Sequence, residues 1–94
     1  MTDCPLVFVE WEDSAQPIPY WQHLSDFEAK PVVKCVSVGW LIHDEKDMKA
    51  IAPNMGGMEN EYNAQVSGVI RIPARCITKI TKLKEPKLSS AVSL

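Results

Sequence analysis

The chain lacks any apolar run near the ~18 residues that a membrane-crossing helix needs. It also opens without the basic and then apolar stretch of a secretory leader. The expectation is a soluble protein of the cytoplasm, with no membrane partner. Cysteine is scarce and odd in number. Cys4, Cys35 and Cys76 lie far apart and form no Cys-x-x-Cys pair, so they read as reduced thiols and not as a disulfide framework. Histidine is scarcer still. His23 and His43 are the only two, with no His-x-x-x-His spacing, so no metal is expected. A site assembled from His43, Asp44 and Asp47 reads more simply as a solvated hairpin tip. Glycine is low as well. Gly56-Gly57 has no Lys-Ser/Thr after it and has Glu59 and Glu61 beside it, which argues against a phosphate loop.

Chemistry is equally thin. No Gly-x-Ser-x-Gly elbow presents a serine, and Asp13-Ser14 with His43 makes no convincing nucleophile set. Cys35 and Cys76 fall in or beside apolar strands, where a thiol is usually inert packing. The expectation is a protein that is not an enzyme and uses no cofactor.

What is present is a core. The 94 residues are 46% hydrophobic, enough for one domain, placed at 1–84 with a flexible tail over 85–94. Net charge is −2, but eleven of the twelve acidic residues lie at or before Glu61, and six of the ten basic ones lie between Arg71 and Lys87. A solvated strand face and a basic tail account for that polarity.

Leu6 to Trp11 alternates as a strand, with Val7, Val9 and Trp11 on one face and Leu6 and Phe8 on the other. Asp13, Ser14 and Pro17 end it. Tyr20 to Ala29 carries apolar residues at helical spacing, so a short helix or a pair of turns is expected, packed across one end of the fold. Val32 to His43 is the strongest strand. Both of its faces are apolar, which predicts burial on both sides, and Gly39 predicts a bend. Trp40 alternates with Val38 and Ile42 and reads as core. Met48 to Ala52 returns as a hairpin partner. Pro53 to Ala64 reads as a loop, and Val66 to Ile72 as a strand. Pro73 to Cys76 fits a single 3₁₀ turn. Ile77 to Leu83 closes the fold as a strand, although Ile77, Ile80 and Leu83 also keep helical time. The sum is a mostly β fold: a five-stranded SH3-like or Sm-like small barrel with a short helical insertion between strands 1 and 2.

Several blocks also carry a resemblance. Val9-Glu10-Trp11-Glu12-Asp13-Ser14, Trp21, Ser37-Val38-Gly39-Trp40-Leu41-Ile42, and Gly68 to Pro73 followed by Ile77 and Ile80 resemble a family of small uncharacterised phage and prophage proteins. The resemblance spans Val7 to Leu83. It implies a bacterial host cytoplasm and an accessory or anti-defence role, and it transfers no functional residue.

Three tryptophans are more than a small barrel needs. Trp11 at the end of a strand and Trp21 in the insertion are candidates to stack on a ligand or to anchor a partner. Arg71 and Arg75 bracket the proline turn and suit an anionic group. Asp13, Ser14 and Asn54 add polar loop contacts. The expected function is non-catalytic binding and sequestration of a host factor, with a nucleotide-type signalling ligand favoured over a host protein. The sequence pI of 5.6 weakens the Sm-like single-stranded nucleic-acid reading, in which Lys79 and Lys82 would carry charge. A homo-oligomer built by edge pairing is also expected.

Overall fold

A computed structural model describes residues 3–15, 17–60 and 62–87. Seven strands form: β1 (Leu6–Asp13), β2 (Val33–Asp44), β3 (Met48–Ala52), β4 (Asn54–Gly56), β5 (Gln65–Ser67), β6 (Ile70–Pro73) and β7 (Ile77–Lys82). Five of them make one antiparallel sheet in the order β6-β3-β2-β1-β7, and β4 and β5 make a separate ribbon.

The alternation in β1 sets the core. Val7 and Val9 are buried, and they pack with Leu41, Ile51 and Ile72. Trp11, Ile70, Cys76, Ile77 and Ile80 close around that cluster. β1 sits between β2 and β7, pairing Phe8 with Val38 on one side and Thr81 on the other. The sheet therefore pairs the first described strand with the last.

β2 is long because it serves two neighbours. Val33 to Trp40 pairs with β1, and Trp40 to Asp44 with β3, so Trp40 alone pairs with both. Gly39 allows this crossing. A Cβ there would lie 2.6 Å from the Ala52 carbonyl oxygen and 2.8 Å from Ile51 Cγ2. The glycine is required by close approach, and the irregularity of β2 falls a little further on, between Leu41 and His43. A second irregularity lies between Glu10 and Trp11 against β7. There Thr78 is the extra residue, and its hydroxyl donates to the Glu10 carbonyl at 3.0 Å.

Several expectations are corrected. No helical insertion forms between β1 and β2. Only a 3₁₀ turn, Leu24–Asp26, appears there, without a side-chain cap. Its apolar residues bury nothing, and short helices in water depend on burying a face. Trp21 does not staple anything over the sheet, because it is fully exposed. Trp40 is not core. It lies on the outer face, half-buried, opposite Leu6, and its indole N–H reaches Glu85 Oε1 at 3.4 Å. β2 is not covered on both sides, since Val36 and Val38 are 62% and 48% exposed. The stretch from Pro53 to Ala64 is not all loop, because Asn54–Gly56 pairs with Gln65–Ser67. Val66 to Ile72 is not one strand, because Gly68 takes φ +73° and separates β5 from β6.

Other readings match. The 3₁₀ turn Ala74–Cys76 joins β6 to β7, and Ile77–Lys82 is strand and not helix. The five strands form one antiparallel sheet, and no ladder joins edge strands β6 and β7 among the described residues, so closure into a barrel is not shown. No helix among the described residues is long and apolar enough to cross a membrane. Of the tail read over 85–94, residues 88–94 lie outside the described residues.

Candidate functional site

Strand register divides the sheet into two ends. At one end lie Asp13, paired with Val33, and the root of the long connection between them. The turn between β2 and β3 and the 3₁₀ turn before β7 stand together, joined by a hydrogen bond from Ala74 N–H to the Asp47 carbonyl at 3.0 Å. At the other end lies Leu6, paired with Trp40, which pairs onward with Ala52. The two ends are separated by the length of β1, roughly 23 Å at ~3.3 Å per residue.

The candidate residues distribute accordingly. Trp11 faces the core, and its indole N–H donates to Ser37 Oγ at 3.0 Å. Asp13 ends β1, where Oδ1 accepts the Ser14 N–H at 2.8 Å, a local bond that starts the turn out of the strand. Arg75 is exposed in the 3₁₀ turn, next to the turn that carries Asp44, Glu45 and Asp47. Asp44 also forms an ion pair with Lys49 across the ladder. Arg75 thus stands in mixed charge, a poor setting for a phosphate. Arg71 is exposed on edge strand β6 opposite Ala50. Asn54 belongs to the separate β4-β5 ribbon, where its amide reaches the Ser67 carbonyl at 3.4 Å and lines a small hollow of about 230 Å³. Trp21 stands alone in solvent. The structure brings Asp13 and Ser14 together, places Trp11 and Arg75 at the same end, and puts Asn54 in the separate ribbon.

The more coherent surface lies in the connection itself. Every described residue from Asp13 to Lys34 is exposed. Within this arm an open groove of about 510 Å³ is lined by Ile18, Tyr20, Asp26, Phe27, Glu28 and Lys30 among others. Tyr20 is 68% exposed and Leu24 89%. Sequence reasoning missed Ile18, Tyr20 and Phe27 as site residues because their spacing was read as a helix packed on the fold. The signal was Pro17, Pro19 and Pro31, which favour extended chain at both ends of the segment.

A second surface is the outer side of β1 and β2. Leu6, Phe8, Val36, Val38 and Trp40 share it by register. Glu10 pairs there with Lys79, and Glu12 with Lys34, so its polar border is neutral. Among the described residues no three His, Cys, Asp or Glu side chains are grouped to hold a metal ion.

The geometry defines a small antiparallel β protein with a long exposed arm. Compared with known proteins, the chain matches no family model, no curated protein and no solved structure. The phage-protein resemblance therefore rests on the residue blocks alone.

Proposed function

We propose that this chain is a non-catalytic binding module that sequesters a protein partner through the arm of residues 14–32. The observation that carries the reading is the exposure of Tyr20, Trp21, Leu24 and Phe27 on one connection. Apolar surface of this kind, rimmed by charge, marks protein contact, and aromatic side chains dominate such contacts. The extended arm also presents these residues at little ordering cost, because proline removes freedom before binding. In this reading the five-stranded sheet is the frame, and the β1–β2 connection is the working loop. In the phage reading the partner is a host protein, and holding it inactivates it in the bacterial cytoplasm.

A nucleotide-type ligand is the second reading, favoured by Tyr20 and Phe27 lining one groove with Lys30. Asp26 and Glu28 line the same groove and oppose a phosphate, so a protein segment fits it better. The same carboxylates weigh against single-stranded nucleic acid.

Pull-down from a bacterial lysate with the wild-type chain and with Phe27→Ser tests the protein reading. Specific capture that the substitution abolishes supports it, and equal capture by both removes the arm from the function. Titration calorimetry against cyclic nucleotides and ADP-ribose derivatives tests the second reading, and heats indistinguishable from dilution remove it.

A further inference from the structure

The same chain carries two apolar surfaces that stay open among the described residues. One is the arm, with Tyr20, Trp21, Leu24 and Phe27 in solvent. The other is the outer side of β1 and β2, where Val36 and Val38 are open beside Phe8 and Trp40. We propose that, before it meets a partner, the arm of one copy lies on the outer sheet face of a second copy, and the second copy's arm returns the contact. The proposal rests on the reading of the arm as the docking element, and it adds that this element is stored in a two-fold dimer.

Three observations favour a second copy over other occupants. Both halves of the contact belong to one chain, so a two-fold axis satisfies both at once and leaves neither exposed. The area is sufficient. Aromatic side chains of about 150–250 Å² each, carried by two arms and matched by two sheet faces, amount to roughly 2,000 Å², within the range of a stable interface. The charges do not oppose it: the arm sets Lys30 beside Asp26 and Glu28, and the face has a neutral border of Glu10 with Lys79 and Glu12 with Lys34. Finally, the arm is held off its own sheet. Pro17, Pro19 and Pro31 stiffen it, and the Asp13–Val33 pair fixes both of its ends at the edge of the face. Exchange of a stiff segment is a low-cost route to a dimer.

Dimerisation regulates the docking element, because an arm seated on a sheet face cannot engage another protein. A partner then competes with the second copy, and free apolar surface is never displayed in quantity.

Sedimentation velocity over a wide range of protein concentration tests the proposal with the full chain. The wild type should sediment as a dimer. Trp21→Ser removes an arm anchor, and Val38→Asp places a charge on the face. Each alone should raise the dimer dissociation constant about 30-fold or more, as loss of a central anchor does. An equimolar mixture of the two should recover a heterodimer, because one intact arm still meets one intact face. Val36→Glu repeats the face test at a more exposed position, and thermal melts check that all variants fold. A monomeric wild type overturns the proposal. So does a mixture no more associated than its components, or variants that dimerise like the parent. The outcomes separate from the functional reading. Val38→Asp should still capture a protein partner, whereas Trp21→Ser should not. Capture that survives Trp21→Ser defeats the functional reading even if the dimer is present.

Discussion

The indole N–H of Trp11 donates to the Ser37 hydroxyl at 3.0 Å, from β1 to β2 across the inner face of the sheet. That bond distinguishes the tryptophans. Trp11 is held inside against Ile77 and Ile80, while Trp40 lies outside and Trp21 in solvent. Ser37→Ala leaves a half-buried N–H unpaired and should lower the unfolding free energy by about 1 kcal/mol. Urea titration followed by tryptophan fluorescence measures it. A loss no larger in the native Trp11 background than in Trp11→Phe would remove the hydrogen bond as its cause.

Gly39→Ala is the most damaging small substitution. A methyl group there meets the β3 backbone at Ala52, which is part of the ladder and cannot rotate away. A cost of about 1–3 kcal/mol is expected from overpacking, read as a lower urea midpoint. An unchanged midpoint would show that β2 and β3 separate freely at their crossing.

Thr78 fills the irregularity between β1 and β7, and its hydroxyl satisfies the Glu10 carbonyl. Thr78→Val keeps the branched shape and loses the bond, so it should cost about 1 kcal/mol. Thr78→Ser should recover most of that loss in the same thermal melt. If valine melts like the parent, water serves the carbonyl as well as threonine does.

The Asp44–Lys49 pair lies at the surface across the β2–β3 ladder, with Asp44 59% exposed. Asp44→Asn should change stability by less than about 1 kcal/mol. Its effect should shrink further at high salt, since exposed charges are screened. A large, salt-independent loss would point to a structural role for the turn.

Trp21→Ser should leave the denaturation midpoint of dilute protein where it was, because the ring touches no part of the folded sheet. A shifted midpoint in dilute solution would mean that the arm folds back on its own molecule.

Strand existence and type were legible because side-chain alternation in Leu6 to Trp11 and β-branching in Ile77 to Lys82 are local properties. The face of Val7, Val9 and Trp11 followed directly. The 3₁₀ turn after Pro73 was also legible, because proline sets its own backbone angle. What failed was everything that needed a neighbour. Val36 and Val38 look as buried in sequence as Leu41 does, and only the sheet order shows which side of β2 remains open. Tyr20 to Phe27 keeps helical spacing, yet spacing yields a helix only where a surface waits to receive it. Asn54 was grouped with Asp13 by residue type, and the pairing of Asn54 with Ser67 puts it in a separate ribbon.

The pairing of Val9 with Ile80 carries a consequence for biosynthesis. β1 leaves the ribosome well ahead of β7, and one of its edges has no neighbour until Ile80 emerges. Contacts between the two ends of a chain form slowly and late. β1 is therefore enclosed only once Ile77–Lys82 has been made, and a premature stop before Ile77 leaves Val7 and Val9 without β7 on that edge.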